Sequence, residues 1–174
     1  MPRIDEYRNL GSPLRGDLFR VTFSGVPAGG GGDETSTLVL KLMSAGLPGK
    51  NTTDIEVNYG RGVVLRYAGP VTYEGTWSTL FKETENVGTL DRLNTWLDLA
   101  YNTVEGTGNP KEMYEVTALI ETMTSGNAVQ KRRRLVGVFP SSTPGFELNA
   151  TSPDPIELTI DWKYDYWEDV EASG

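Results

Sequence analysis

The chain has 174 residues, with 24 acidic and 16 basic side chains that give a net charge of −8 at pH 7. This excess of negative charge argues against a surface that grips the phosphate backbone of nucleic acids. The chain contains neither cysteine nor histidine, which removes disulfides, histidine-based catalytic triads and the most common zinc ligands, so we expect no enzyme activity, no cofactor and no bound metal.

The length fits a single domain spanning residues 1–174. No apolar run reaches the ~18 residues of a membrane helix, and the N-terminus lacks the apolar region of a secretory signal, so no membrane anchor is expected. Residues Met1–Asp17 are polar and are predicted to form an N-terminal arm. Phe19, Val21 and Phe23 alternate with polar residues, which predicts the first strand. The glycine-rich stretch Gly29–Gly32 predicts a loop.

A strand, a break and a β-hairpin are predicted in succession. The strand covers Leu38–Leu42 and ends at Ser44–Lys50, where two glycines flank a proline and interrupt the ladder of hydrogen bonds. The next strand, Asp54–Tyr59, turns at Gly60–Gly62 and returns as Val63–Tyr67. Since this hairpin carries nothing that resembles a catalytic set, its pattern favours pairing with another surface.

The rest of the chain alternates strands with one helix. Apolar residues that share one strand face predict strands at Val71–Phe81, Met113–Met123 and Ile156–Tyr166, and a further strand is predicted at Lys131–Phe139. Leucines at helical spacing predict a helix over Thr89–Asn102. These elements predict a mainly β protein, a β-sandwich or barrel of seven to eight strands with one packed α-helix and a protruding β-hairpin.

Three patterns favour a structural interpretation over a chemical one. The basic run Lys131–Arg134 alternates between two strand faces, which favours a solvated edge or an acidic neighbouring subunit over nucleic-acid binding. Asp161 and Asp165 are separated by about 13 Å at normal strand rise, too far for a glycosidase pair. Most tryptophans lie in phase with apolar faces and are expected in the core, whereas Trp167 falls on a polar face and is expected to be an exposed interface anchor.

The order and spacing of five segments resembles the tail tube proteins of contractile-tailed bacteriophages, a family related to the tube proteins of pyocins and type VI secretion. The resemblance covers nearly the whole chain, and no single segment is specific by itself. The segments are Ser44–Gly49, Ile55–Tyr59 with its hairpin partner, Tyr73–Phe81 before a helix that contains Trp96, Val136–Pro140, and Leu158–Tyr166.

This resemblance implies a structural virion protein that forms stacked hexameric rings, which make the hollow tail tube through which DNA is ejected. It implies assembly in the host bacterial cytoplasm, with further copies of itself, the tail sheath, the baseplate hub and the tape-measure protein as partners. Double-stranded DNA would pass transiently, without specific binding. The hairpin would contact another subunit through Ile55, Glu56, Val57, Asn58, Tyr59, Arg61, Val63 and Arg66.

Two further sets of residues follow from the same expectation. A bore that passes DNA without holding it should carry acidic and small polar side chains, since these do not attract phosphate. The candidates for the lumen are Glu74, Thr76, Ser78, Glu115, Thr117 and Glu121, with at least two of the three glutamates expected to face it. Residues 168–174 are predicted to be an acidic C-terminal tail, and the candidates that face a contractile sheath are Glu168, Asp169 and Glu171.

Two alternatives stay open. A tube-initiator or baseplate hub protein would keep the fold and change the role, although such proteins usually carry extra domains. A lectin-like β-sandwich would need exposed aromatic residues and a ligand loop, and most aromatic residues here are in phase with the core.

Overall fold

The structure is a computed structural model that describes residues 14–25, 27, 41–83, 85, 88–146, 151 and 154–171. The predicted strand positions Leu38 and Leu40, the loop Gly29–Gly32 and most of the N-terminal arm lie outside these residues. The described elements, in chain order, are β1 (Phe19–Phe23), β2 (Leu42–Ala45), β3 (Lys50–Asn58), β4 (Val64–Tyr73), β5 (Thr76–Lys82), α1 (Gly88–Ala100), β6 (Tyr101–Asn102), β7 (Thr107–Gly108), a 3-10 turn (Lys111–Met113), β8 (Val116–Met123), β9 (Val129–Pro140), β10 (Glu157–Lys163) and β11 (Tyr166–Val170).

Seven strands form one antiparallel sheet in the order β1-β8-β9-β10-β5-β2, with β11 also paired to β9. Strand β9 connects two halves of this sheet. Its first part pairs with β8 on one side and β11 on the other, whereas its last residues, Phe139 and Pro140, pair with β10. β3 and β4 form a separate two-stranded sheet, and so do β6 and β7. The predicted mainly β fold with one helix is confirmed, and the described strands form no closed barrel.

Aromatic contacts show that the two halves of the sheet fold onto each other. Phe23 of β1 and Trp162 of β10 are far apart in the strand order, yet their ring centroids are 5.2 Å apart. Trp77 of β5 lies 6.1 Å from both rings. Trp96 packs its ring 5.5 Å from Trp162 and thereby fixes α1 on the side of the sandwich. The expectation that these three tryptophans belong to the core is confirmed, since none is more than 2% exposed.

The predicted strand Val71–Phe81 is in fact two strands. The chain breaks at Glu74–Gly75, where Gly75 has a φ of +69° that strand residues do not adopt. As a result Trp77 and Phe81 are buried in β5, whereas Val71 and Tyr73, which were expected on the same face, end β4 and remain 48% and 37% exposed. The hairpin is therefore longer than Asp54–Tyr67.

A second break divides the predicted closing strand Ile156–Tyr166. β10 ends at Lys163 and β11 begins at Tyr166, and the two strands pair with different parts of the chain. Leu158, Ile160, Trp162 and Tyr164 are buried as expected. Tyr166 was expected inward but is 44% exposed, because the break changes the phase of the residues that follow it.

Glycine permits the bend at which β9 passes from one half of the sheet to the other. Val136 and Gly137 together oppose the single residue Thr117 of β8, which makes a β-bulge. Gly137 has a φ of +72°, and a Cβ there would overlap Oδ2 of Asp165. The side chain of Asp165 receives a hydrogen bond from Lys111, and this contact raises the pKa of the lysine.

Candidate assembly interface

The most exposed structure in the described chain is the ribbon of β3 and β4, which we call the hairpin. Every residue of β3 is exposed, and every residue of β4 except the half-buried Gly69 is exposed as well. The two strands pair with each other over their full length, and no other described strand pairs with either of them. An isolated two-stranded ribbon is only marginally stable in water, so this one requires support from elsewhere.

The distal half of the hairpin has one apolar face and one charged face. Ile55 lies opposite Tyr67, and Val57 lies opposite Leu65, which places four apolar side chains on one face. These side chains are between 38% and 55% exposed, and Tyr59 beyond them is 76% exposed. A contiguous exposed apolar patch of this kind is typical of an interaction surface.

Charged residues occupy the opposite face of the distal half. Arg66 lies directly across from Glu56 and contacts it at 2.7 Å, and its Nε lies 3.4 Å from a carboxylate oxygen of Asp54. All three side chains are more than half exposed, so these ion pairs add little stability. They do make this face of the hairpin polar.

The tip is a well-formed turn at Gly60–Gly62, as the sequence predicted. The amide of Tyr59 donates to the carbonyl of Val63 at 3.0 Å, and the amide of Gly60 donates to Oδ1 of Asn58 at 3.0 Å. Arg61 and both glycines have positive φ angles, and glycine adopts such angles at no steric cost. The turn therefore holds the two strands in register to the end of the ribbon.

A β-bulge separates this distal half from the base of the hairpin. Gly69 and Pro70 of β4 together oppose Thr53 of β3. A Cβ on Gly69 would lie 2.7 Å from the carbonyl oxygen of Thr53, so only glycine fits this close approach. The extra residue changes the phase of β4, and the apolar residues of the base, Val71 and Tyr73, consequently lie on the opposite face of the ribbon from Ile55 and Tyr67.

The base of the hairpin packs on Trp167, which the sequence predicted to be exposed. That prediction is wrong, because Trp167 is 7% exposed and Tyr73 meets it edge-on with ring centroids 5.7 Å apart. The break before Tyr166 reverses the phase of β11 and turns Trp167 inward. The base thus contacts its own subunit through Tyr73 and Lys50, although Val71 remains 48% exposed. The apolar face of the distal half has no such aromatic contact with the sandwich among the described residues.

The lumen candidates divide between two places. Thr76 and Ser78 lie on β5 beside β10, where Lys163 donates to Oγ1 of Thr76 at 2.8 Å and Ser78 hydrogen-bonds Asp161. Glu74 was expected on a strand face but is an exposed residue of the break between β4 and β5. The placement of these residues in a bore stays a prediction.

The other lumen candidates lie at or before β8. Glu115 precedes the strand and lies 3.5 Å from Lys111, and Thr117 is half-buried on β8. Glu121 was expected on a polar strand face, but it is 2% exposed between Arg20 and Arg132, which donate to it at 2.6 and 2.7 Å. Burial raises the pKa of Glu121, but the two arginine hydrogen bonds outweigh burial and leave this pKa below its ordinary value.

The basic run and the acidic C-terminal residues, predicted separately, contact each other. β9 and β11 pair in antiparallel register, so that Arg134 lies across from Glu168 and Arg133 lies across from Asp169. The side chains of both pairs form ion pairs. Lys131–Arg134 is therefore not a solvated edge, since β9 lies between β8 and β11. Residues Glu168–Val170 belong to a strand and not to a tail, and Glu171 follows it as an exposed residue.

The described residues contain no group of three or more acidic side chains placed to hold a metal ion. No described helix has the length and apolar character needed to span a membrane.

Comparisons with solved structures find chains that share this fold. A chain of the anti-feeding prophage cap, the tube-terminating cap, matches with a TM-score of 0.67 at 15% identity over 93% of each chain. The fold is that of contractile injection systems. A chain of the PVC sheath/tube terminator in the extended state matches with a TM-score of 0.61 at 15% identity, over 93% of this chain and 99% of the other. A chain of the PVC sheath-tube complex in the extended state matches with a TM-score of 0.56 at 15% identity, over 95% and 96%.

No protein-family model matches the sequence, and no curated protein is similar to it in sequence. At 13–15% identity the similarity to injection-system chains concerns the fold. The fold predicted from the resemblance to tail tube proteins is confirmed at this level.

The sequence reasoning overlooked the apolar face of the hairpin, although the signal was present. Ile55, Val57 and Tyr59 alternate with charged or polar residues, and Val63, Leu65 and Tyr67 alternate in the returning strand. In a hairpin that turns at Gly60–Gly62, these two sets must lie on one face. The residues expected to contact another subunit therefore include both the apolar and the charged face, and only the apolar one lacks partners within the described chain.

Proposed function

We propose that this protein is a structural subunit of the tube of a contractile tail or contractile injection system. The observation that carries the proposal is the hairpin, whose apolar face of Ile55, Val57, Leu65 and Tyr67 has no cover within the described part of its own chain. Among the described strands, β3 and β4 pair only with each other, so their outer edges also offer backbone groups for pairing. A second copy of the same chain would cover both, because in a symmetric assembly each subunit provides the same surface.

The finer form of the proposal is a set of stacked hexameric rings that make the tail tube of a bacteriophage particle, assembled in the host cytoplasm. The fold of injection-system tubes and the resemblance to tail tube proteins support it. Glu74, Thr76, Ser78, Glu115 and Thr117 are proposed for the bore, where genomic DNA and a tape-measure protein would pass. Glu121 contributes little free charge there, because two arginines neutralise it.

The exterior of the tube is proposed to meet a contractile sheath. Glu171 supports this assignment through its exposed charge. Asp169 is already paired with Lys131 and Arg133, so it would have to exchange these partners to bind a sheath. Glu168 is already paired with Arg134, so its share in sheath binding requires exchange of that partner. Neutralising these three carboxylates should weaken assembly of the sheath on preformed tubes in a reconstitution assay, and unchanged sheath assembly would remove them from the proposal.

Negative-stain microscopy of the purified full-length chain tests the proposed function directly. Rings and long tubes are expected, and a stable monomer at high concentration would overturn the assignment. Deletion of Asn58–Val63 should leave a folded monomer that no longer forms tubes. Normal tubes from that deletion would show that the hairpin does not contact another subunit.

A second candidate is a ring at the end of a tube, in place of a repeated ring along it. This candidate is supported by the order of the TM-scores. Chains from cap and terminator structures score 0.67 and 0.61, against 0.56 for a chain of the sheath-tube complex. A terminal subunit should form single rings that stop growth when they are added to tubes of another subunit. Long tubes from the purified chain alone would exclude it.

A further inference from the structure

The hairpin is joined to the sandwich by two short connections that are rich in glycine. Gly46–Gly49 leads from β2 into β3, and Glu74–Gly75 leads from β4 into β5. Glycine restricts backbone rotation less than any other residue, so these connections do not by themselves fix the angle of the ribbon. Any fixed angle must come from non-covalent contacts at the base.

Three side chains of the sandwich donate hydrogen bonds to three carbonyl groups of the first connection. Nε1 of Trp77 donates to the carbonyl of Gly46 at 2.6 Å, and Arg133 donates to the carbonyl of Pro48 at 2.6 Å. Nε1 of Trp167 donates to the carbonyl of Gly49 at 3.0 Å. Gly49 immediately precedes β3, so the last two bonds act at the point where the ribbon leaves the sandwich.

Arg133 and Trp167 form a single unit, which we call the clamp. The guanidinium carbon of Arg133 lies 3.5 Å from the centre of the Trp167 ring. Asp169 orients the guanidinium by accepting from its Nε at 2.9 Å, and the pKa of Asp169 is lowered chiefly by this hydrogen bond. The side chain of Arg133 is only 8% exposed, so its charge depends on these partners, and removal of one partner of a buried charge is costly.

The clamp also grips the first cross-strand pair of the hairpin. Lys50 and Tyr73 lie opposite each other at the base of β3 and β4. Nζ of Lys50 lies 5.3 Å from the centre of the Trp167 ring, and the ring of Tyr73 meets Trp167 edge-on. The clamp therefore contacts the connection and both strands, within the described residues of one subunit.

We propose that Arg133 and Trp167 are positioning residues that hold the hairpin at the single angle that a neighbouring copy of the chain accepts. The identity of the neighbouring copy in this inference rests on the proposed function. The angle of the hairpin is a property of the monomer and does not depend on that function. From Lys50 to Asn58 the strand extends about 26 Å at normal rise. A pivot of 10° at the base would move the far end by roughly 5 Å, more than a hydrogen-bonded or packed contact tolerates. Docking of β11, which carries Trp167, is then a condition for assembly.

The angle can be measured in the monomer by double electron–electron resonance. Because the chain has no cysteine, spin labels at Val64→Cys near the tip and Asn94→Cys on α1 report the distance between ribbon and sandwich without interference. The measurement uses the full chain with Val57→Asp added to suppress assembly. Arg133→Gln should at least double the width of the distance distribution.

The matched control is Arg134→Gln, because Arg134 is the next residue on β9 and pairs with Glu168 of the same strand β11. It touches neither the connection nor the hairpin, so the width should not change. An unchanged width in Arg133→Gln, or equal broadening in both variants, would overturn the inference. If Arg133→Gln does not fold, Trp167→Phe keeps an aromatic ring, loses the donor to Gly49 and should broaden the distribution; an unchanged width in that variant overturns the inference too.

The assembly readout separates this inference from the proposed function. In the chain that retains Val57, Arg133→Gln should raise the critical concentration for tube formation at least tenfold, and Arg134→Gln should change it less than threefold. Equal critical concentrations for the two variants would contradict the role of the clamp in assembly. If the unaltered chain does not assemble, the proposed function fails, while the distance distribution still decides whether the clamp holds the hairpin.

Discussion

The apolar face of the hairpin provides the sharpest test of how this chain contacts its neighbours. Val57→Asp places a carboxylate in the centre of that face, beside Leu65. In the monomer Val57 is 41% exposed, so the substitution should cost the monomer only about 0.5–1 kcal/mol through lower strand propensity. In an assembly that covers this face, each copy would lose about 1 kcal/mol of apolar burial and would also bury an unpaired charge at a cost of several kcal/mol.

The size of the effect follows from that difference. Each 1.4 kcal/mol corresponds to a factor of about ten in an equilibrium constant, so the critical concentration should rise at least a hundredfold. Asn58→Asp is the control, since it adds the same charge to the next residue on the opposite face and can still accept from the amide of Gly60. Turbidity and sedimentation measure assembly, and circular dichroism checks that both variants stay folded. An equal rise of the critical concentration in both variants, or an unchanged critical concentration in Val57→Asp, would refute the assignment of the apolar face as the contact between subunits.

Gly137→Ala should destabilise the monomer by about 2 kcal/mol, because alanine is strained at a φ of +72° and its Cβ displaces Asp165. Gly106 has a similar φ of +67° with open space around it, so Gly106→Ala should cost about 1 kcal/mol less than Gly137→Ala and should lower Tm by roughly 2–4 °C less. Equal losses of Tm in the two variants would contradict the overlap between the added Cβ and Asp165. Glu121→Gln should cost about 1–2 kcal/mol at pH 7 in urea titrations, since it removes the acceptor shared by two arginines. The folded-state pKa of Glu121 is depressed, so its contribution to the free energy of unfolding is complete above the ordinary pKa near 4.5 and is lost as pH falls through the folded-state pKa. The stabilities of the unaltered chain and Glu121→Gln should therefore converge in acid. A constant stability difference between them down to pH 2 would contradict this.

The sequence predicted elements well wherever one face of a strand is buried in the subunit itself. Phe19–Phe23 and Val116–Met123 have this character, and their buried apolar positions are those that alternation indicates, with Glu121 as the buried exception on the polar face. The helix was located to within two residues, because Leu93 and Trp96 must both reach the core. In these segments the local pattern and the tertiary environment impose the same period, so the pattern is a reliable guide.

The prediction failed where the chain changes phase without changing composition. The apolar residues Val71, Tyr73, Trp77 and Phe81 are spaced by even numbers of residues, and so are those from Ile156 to Tyr166, yet both segments are broken by residues in which the backbone turns. A single glycine or aspartate inside an alternating run does not distinguish a break from a bulge. The position of Trp167 depended on that distinction, and so did the identification of Val71 and Tyr73 as hairpin residues.

Contacts between charged residues on paired strands could not be predicted from the sequence. Lys131–Arg134 and Glu168–Asp169 lie more than thirty residues apart, and each run by itself indicates an exposed surface. The antiparallel register of β9 and β11 brings them together residue by residue, so most of the charge that seemed available for partners is already used within the subunit. The apolar face of the hairpin, by contrast, is exposed over two neighbouring cross-strand pairs, Ile55–Tyr67 and Val57–Leu65. Since burial of apolar surface is the main driving force of stable association, assembly is expected to depend on that face more than on any charged patch, and the clamp that aims it becomes the part of the sandwich to which assembly is most sensitive.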